Sequence, residues 1–249
     1  MISLLLILLP LLTGLAAFFI KDEQMVSTWA VLTSLATLTI AILSLCCMND
    51  TKSLNYHCEW LPSLGASFSL KMDGVAQLLC LLNTIAYPLV FIAGWDKTYK
   101  NAKNFFALML LAQAGIMGVF LAADALLFYF FWELALIPMY FLCSQWGGEK
   151  RVAVTFKFFI YTFIGSLLML ISILYLYGQT PDHSFSIESF YNLKLTSKQQ
   201  SIPFWLMFVA FAVKMPIFPL HTWQPDTYEQ APTSTTMILS GVMVKMGVF

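Results

Sequence analysis

Apolar residues are gathered into eight long runs, separated by polar connections. A helix that crosses the hydrocarbon core of a bilayer needs about 20 consecutive, mostly apolar residues. The second, third and sixth runs contain no charged residue, so they are too long and too uniformly apolar for core helices of a water-soluble domain. The pattern therefore predicts an all-α, polytopic transmembrane bundle of about eight helices. The runs are Ile2–Ile20, Val26–Met48, Gly74–Trp95, Phe105–Ala123, Ala125–Trp146, Phe158–Gly178, Ile202–Leu220 and Thr233–Phe249.

The composition supports this class. Hydrophobic residues make up 59% of the chain and charged residues 10%, and the mean hydropathy is +0.78. Soluble domains carry roughly 25% charged residues. The 13 Lys and Arg residues balance the 13 Asp and Glu residues, which gives no basic surface for binding nucleic acid. The five cysteines have no C-x-x-C spacing. They are interpreted as packing residues, and no metal site is predicted.

The segments around the runs carry structural signals only. The first run has no basic segment before it, so it is interpreted as a retained helix and not as a signal peptide. The two longest connections, residues 49–72 and 179–201, are polar and are assigned no chemistry. Asp124 separates two runs with almost no linker, and we expect it to cap the next helix in a tight turn. Pro232 is expected to open the last helix, where a proline loses no needed hydrogen bond.

Three ionisable side chains fall inside the apolar runs: Glu133, Lys214 and Lys245. A charged residue at the bilayer centre costs about 2.5–3.5 kcal/mol on insertion scales. A chain that keeps such residues within its spans is expected to use them, and intramembrane charges commonly mark ion pathways. These three residues are therefore the primary functional candidates.

Glu133 lies near the middle of the fifth run, about 13 Å from its start at about 1.5 Å per residue. Pro138 follows in the same run and removes the backbone donor to the carbonyl of Leu134, one turn from the carboxylate. The alternative interpretation is a carboxylate that only caps or packs an irregular helix. Asn or Gln would do this at lower cost, which favours a functional carboxylate.

Lys214 also lies near mid-depth and is followed by Pro216 and Pro219. The two prolines are expected to break the helix and to free the carbonyls of Ala212 and Met215. Broken helices at membrane depth mark the ion site in transporters. The alternative is a lysine that extends to the bilayer surface. The predicted depth argues against it.

Lys245 and His221 have more evenly balanced alternatives. Lys245 lies thirteen residues into the eighth run, and a lysine near a helix end could simply reach the far interface. His221 follows the predicted break and is either a proton relay or a capping or packing side chain. Asp226 and Glu229 are interpreted as solvated or cap-forming residues near the inner surface.

Proton transfer is the chemistry that fits these residues. Burial favours the neutral forms of lysine and glutamate, and a nearby opposite charge restores the charged forms. A Glu–Lys pair whose separation changes can therefore switch a lysine between holding and releasing a proton. The sequence has no G-x-G-x-x-G loop and no cysteine cluster, so nothing in it indicates hydride or electron transfer.

Five sequence strings carry a resemblance to a known family. They are FWELALIPMYFL at 131–142, KFFIYT at 157–162, FAVKMP at 211–216, PLHTWQPD at 219–226 and EQAPT at 229–233. They resemble the chain M family of proton-pumping NADH:quinone oxidoreductase, known in mitochondria as the NADH dehydrogenase subunit 4 family of respiratory complex I. The resemblance runs from about Ser69 to Phe249. The first string favours chain M over the sister chains L and N and over the multisubunit sodium/proton antiporters.

The resemblance implies an antiporter-like proton channel built from two inverted repeats, in the membrane arm of the complex. By position, Glu133 matches the glutamate that influences the neighbouring lysine, and Lys214 matches the lysine beside a helix break. Lys245 matches the lysine that passes protons toward the centre of the subunit. NADH, FMN, iron–sulfur clusters and quinone are expected in partner subunits and not in this chain.

The resemblance also implies an organisation and a location. Residues 1–104 are expected to form N-terminal helices 1–3, and residues 105–249 the first antiporter-like repeat with helices 4–8. Family members have about fourteen helices, so a truncated repeat, a fragment or a split gene product is expected. The implied partners are chains L and N and the other membrane-arm subunits, within a lipid bilayer. The implied location is the bacterial inner membrane or, alternatively, an organellar inner membrane.

Two other classes stay open at this point. A cation/proton antiporter or a membrane-bound hydrogenase subunit would share the same module. A structural membrane anchor would share the spans but would need no ion path through Glu133 or Lys214.

Overall fold

The computed structural model describes residues 1–46 and 54–249, and most of these residues are helical. Each of the eight predicted runs coincides with helical structure. The predicted extension of the second run through Cys47 and Met48 lies outside the described residues. The helices are α1 (Ile2–Ala17), α2 (Glu23–Cys46), α3 (Gly74–Ala93), α4 (Ala102–Leu121), α5 (Ala125–Trp146), α6 (Arg151–Tyr177), α7 (Ile187–Tyr191), α8 (Ser197–Lys214), α9 (Trp223–Gln230), α10 (Thr233–Ile238) and α11 (Val244–Val248).

Among the described residues, five helices, α2 to α6, are long and apolar enough to cross a membrane. α1 is apolar but has only 16 residues. α10 and α11 are joined by a π-helical segment, Leu239–Met243, so the last run forms one nearly continuous helix. Apart from one hairpin and short bridges, the described residues form no sheet. The predicted multi-pass helical fold is therefore confirmed.

Two helices begin well before the apolar runs that predicted them. α6 begins at Arg151 and not at Phe158, so it includes Lys157. α8 begins at Ser197, where Thr196 and Gln199 form a capping box. Hydrophobicity alone misses such starts because capping side chains and water can satisfy the free amides of a polar first turn.

A β-hairpin, β1 (Tyr56–Leu61) and β2 (Ala66–Leu70), occupies part of the connection between α2 and α3. Gly65 lies at its turn with φ of 69°, a left-handed conformation that glycine adopts without steric cost. The hairpin is tied to the helices through backbone bonds, one of them from Ala123 N to Ser69 O at 2.9 Å. This connection therefore has an ordered structure that its polar composition did not indicate.

Asp124 caps α5, as predicted, and also holds the hairpin. One carboxylate oxygen accepts hydrogen bonds from the amides of Leu126 and Leu127, at 3.0 and 3.1 Å. The other accepts from the amide of Ser67 at 2.9 Å. Its side chain is buried, so these bonds offset the cost of removing a charge from water.

α4 is the central helix, and two glycines let α5 approach it closely. A Cβ on Gly115 would lie 2.6 Å from the backbone nitrogen of Ala135, and a Cβ on Gly118 would overlap the ring of Phe131. Close helix approach at small residues is typical of membrane bundles, where packing replaces the hydrophobic effect as the driving force. This contact sets the position of α5, which carries Glu133.

Candidate functional site

The predicted helix break lies directly after Lys214. α8 ends at this residue, and α9 begins at Trp223. The residues between them, 215–222, form turns and are named the break segment. Pro216 and Pro219 both lie in it, which confirms the position predicted from the sequence.

The carbonyl groups at the end of α8 find new partners. The amide of Ile217 donates to the carbonyl of Ala212 at 2.9 Å, and the indole Nε1 of Trp223 donates to the carbonyl of Val213 at 3.0 Å. The prediction that proline would leave the Ala212 carbonyl free is therefore wrong. The chain turns back on itself within the break segment, which brings other donors within reach of the helix end.

The Lys214 side chain is almost fully buried, with 2% of its surface exposed. Its Nζ atom has no hydrogen-bond acceptor within residues 1–46 and 54–249. The amine lies over the ring of Trp132, at 5.3 Å from the ring centroid. Because a buried ammonium without an acceptor is costly, this cation–π contact is a weak substitute for an ion pair. The alternative of a lysine extending to the surface does not fit this burial.

Glu133 follows Trp132, whose ring lies beside Lys214, on α5. Its Oε1 atom is buried and has no hydrogen-bond partner in the described chain. The described residues show no ion pair under 4.0 Å between Glu133 and Lys214. α5 continues through Pro138, so the helix around Glu133 is not broken.

Lys245 lies on α11, directly after the π-helical segment. Its Nζ donates to the carbonyl oxygen of Ser240 at 3.0 Å, and its side chain is partly buried. A π-helical turn contains an extra residue and often occurs at functional sites. No pattern in the sequence indicated this segment.

The helix of Lys245 packs closely against the end of α8 at Gly247. A Cβ on Gly247 would lie 3.1 Å from the Cβ of Lys214 and 3.1 Å from the carbonyl oxygen of Phe211. This approach brings the two lysine-bearing helices together at the helix break. The site therefore unites three helices, α5, α8 and α11, that are distant in sequence.

The break segment is held against α6 by a group of polar contacts. The Nζ of Lys157 donates to the carbonyl of Thr222 and to the carboxylate of Asp226, both at 2.8 Å. The hydroxyl of Tyr161 lies 2.9 Å from that of Thr222. Asp226 is half exposed, which agrees with its interpretation as a solvated residue, and the ion pair with Lys157 is a contact that the sequence did not predict. Glu229 is exposed, as predicted.

His221 lies within the same segment, and its Nδ1 atom is buried with no hydrogen-bond partner in the described chain. Its ring packs near Phe218 at a centroid distance of 5.6 Å. The imidazole is thus available at the helix break and is not used as a cap.

Cysteine and metal chemistry is not evident in the described part of the chain. Cys46, Cys58, Cys80 and Cys143 are free thiols, and Cys47 lies outside the described residues. Residues 1–46 and 54–249 contain no group of three or more His, Cys, Asp or Glu side chains that could hold a metal ion.

Comparison with known proteins identifies a matching family model and relatives that align with most of this chain. A family model described as "NADH:quinone oxidoreductase/Mrp antiporter, TM" matches residues 122–249. The F(420)H(2) dehydrogenase subunit M of Methanosarcina mazei is 35% identical over 98% of this chain and 51% of its own length. The NADH-quinone oxidoreductase subunit M of Rickettsia conorii is 38% identical over 76% of this chain and 38% of its own length.

A solved structure shares the same fold. A chain of respiratory complex I from Thermus thermophilus superposes with a TM-score of 0.87 and 27% identity, over 100% of this chain and 51% of the other. The present chain thus spans about half the length of that structure, and half or less of the curated relatives named above.

Proposed function

Because the chain belongs to the family of NADH:quinone oxidoreductase and Mrp antiporter membrane subunits, we propose that it carries protons across the membrane through Glu133, Lys214 and Lys245. Electron transfer in partner subunits would drive this movement. The proposal concerns the protein in its assembled complex. It assigns no redox step to this chain.

The observation that carries the proposal is the environment of Lys214. The amine is buried at the end of a broken helix, has no hydrogen-bond acceptor in the described chain, and lies beside the ring of Trp132, the residue that precedes Glu133 on α5. A lysine held in this way has a small free-energy difference between its charged and neutral forms when a carboxylate is near, and that difference changes if the carboxylate moves. Such a group can bind and release a proton.

The other residues take their roles from their positions. Glu133 is assigned the modulator role because it follows Trp132, whose ring lies beside Lys214, and forms no direct ion pair with that lysine. Lys245 acts as the onward carrier because its helix packs against the end of α8 at Gly247. His221 in the break segment is a further candidate relay, since its Nδ1 has no partner in the described chain.

The proposed setting follows the relatives. The Rickettsia conorii relative is named as a subunit of NADH-quinone oxidoreductase, and the bacterial inner membrane is the location that such a multi-pass subunit fits. We propose that other membrane-arm subunits, including antiporter-like chains L and N, are its partners. NADH, FMN, iron–sulfur clusters and quinone would be bound by partner subunits.

A cation/proton antiporter is the second candidate. The description of the matching family includes the Mrp antiporter, so the same module serves both kinds of protein. An antiporter would exchange protons for sodium without an electron donor. A pump of the first kind would translocate protons only during electron transfer.

The test uses inverted membrane vesicles that contain the full complex and measures NADH-driven proton uptake with a fluorescent dye. Lys214→Met removes the ionisable amine, whereas Lys214→Arg keeps a positive charge that does not release its proton. Glu133→Gln removes the modulating charge. Lys194→Met, at an exposed lysine in a connection, is the matched control.

We expect proton uptake to be lost in both Lys214 variants, to be slowed in Glu133→Gln and to be normal in Lys194→Met. A Lys214→Arg variant that pumps normally would show that only a fixed charge is needed, and would refute the carrier role. Sodium-driven proton exchange in the absence of NADH would favour the antiporter.

A further inference from the structure

A second group of buried polar side chains lies where α2, α3 and α4 pack together. Gln113 on α4 is fully buried, and its Nε2 donates to the hydroxyl of Thr37 on α2 at 3.2 Å. Asn83 on α3 is also fully buried, and its Nδ2 donates to the backbone carbonyl of Gln113 at 3.4 Å. Gln113 therefore connects all three helices.

Several polar atoms of this group have no partner in the described protein. They are the Oδ1 of Asn83, the Oε1 of Gln113 and the hydroxyl of Tyr87, which is fully buried one turn after Asn83 on the same side of α3. Reversing the Gln113 amide would leave both of its polar atoms unpaired, because the Thr37 hydroxyl already donates its hydrogen to the carbonyl of Ser34 at 2.8 Å and could not also donate to the Gln113 oxygen.

The chemistry of the unpaired atoms indicates what would bind them. Two are amide oxygens, which accept hydrogen bonds, and the third is a hydroxyl, which can donate and accept. A buried water typically makes about three hydrogen bonds to groups of this kind. A cation would also suit the oxygens, but no carboxylate belongs to the group, and an unbalanced charge in an apolar interior is far more costly than water.

We propose that Gln113, Asn83 and Tyr87 form an internal water-binding site between α2, α3 and α4. At least one water molecule donates to the two amide oxygens there and contacts the Tyr87 hydroxyl. Within the described chain, no hydrogen bond links the site to Glu133, Lys214 or Lys245. It holds three spans together by polar contacts in a region where the hydrophobic effect does not drive association.

X-ray radiolytic labelling in ¹⁸O-water tests the site, because radicals formed from bound water oxidise nearby methionines. Met109 and Met117 lie one turn before and after Gln113 on α4 and are fully buried. Met169, fully buried on α6, is the internal reference. The experiment uses native membranes with the assembled complex, in sodium chloride and in choline chloride.

We expect ¹⁸O labelling of Met109 and Met117 to exceed that of Met169 severalfold in both salts. The double substitution Asn83→Leu with Gln113→Leu should reduce it to the Met169 level. The milder Tyr87→Phe should reduce it in part and serves if the double variant does not assemble. Thr84→Val is the matched control, because the Thr84 hydroxyl bonds within α3, to the carbonyl of Leu81 at 2.9 Å.

Three results would overturn the proposal. Labelling of Met109 and Met117 no greater than that of Met169 would show a dry site. Strong labelling that Tyr87→Phe and the double substitution both leave unchanged would place the water elsewhere. Labelling that changes when sodium is replaced by choline would indicate a cation site.

Discussion

The close contact at Gly247 leads to a prediction whose magnitude follows from the structure. An alanine Cβ at this position would lie 2.9 Å from the Cγ of Met215, 3.1 Å from the Cβ of Lys214 and 3.1 Å from the carbonyl oxygen of Phe211. The Met215 side chain can move aside, but the other two atoms are held by α8. Gly247→Ala must therefore push α11 away from the lysine-bearing end of α8.

Two opposing effects set the size of the change. Overpacking of a well-packed contact costs about 1–3 kcal/mol. Replacing glycine by alanine within a helix stabilises the folded state by about 0.5–1 kcal/mol. The net destabilisation therefore lies between about 0 and 2.5 kcal/mol. Because the clash falls on Lys214 itself, we also expect fewer protons to be translocated per NADH oxidised. The rate of NADH oxidation should fall by less than the rate of proton uptake.

The matched control is Gly241→Ala in the same helical run. A Cβ at Gly241 has no neighbouring atom within 4 Å, so it creates no clash. The measurements are the apparent melting temperature of the purified complex and proton uptake in vesicles at matched rates of NADH oxidation. Equal melting temperatures and equal proton uptake in the two variants would refute the idea that the close approach at Gly247 positions Lys214.

Three further predictions follow from other contacts of the site. Trp132→Leu removes the ring under Lys214, a contact worth about 0.5–2 kcal/mol, and should slow proton uptake. Phe130→Leu, at an exposed position on the same helix, should leave proton uptake unchanged. Normal uptake in Trp132→Leu would contradict this prediction. Lys157→Asp breaks the ion pair with Asp226 and should lower proton uptake. Adding Asp226→Lys should restore proton uptake in part. A double variant that takes up protons no faster than the single variant would show that proton uptake does not depend on this charge pair. Gly118→Leu would overlap the Phe131 ring and should abolish assembly, measured as the amount of subunit in the purified complex; normal assembly would be inconsistent with the packing of α4 on α5.

The sequence by itself determined the class of the protein and most of its spans. Membrane helices are local, because each span must satisfy its own backbone hydrogen bonds and needs its own apolar residues. The cost of burying Glu133 and Lys214 is equally local, and so is the effect of Pro216 on the helix before it. The placement of the break at Lys214 was therefore predictable, as was the capping role of Asp124.

Only the tertiary structure decided which groups meet these residues. Lys157 and Asp226 are 69 positions apart in sequence, and Trp132 and Lys214 lie on different helices. Such contacts depend on how helices pack, and hydrophobic patterning does not encode helix–helix register in lipid. The carbonyl of Val213 gained a donor from Trp223 for the same reason, which no proline rule could anticipate. The sequence identified the buried charges, and packing determined that Lys214 has an aromatic ring beside it and no hydrogen-bond acceptor in the described chain.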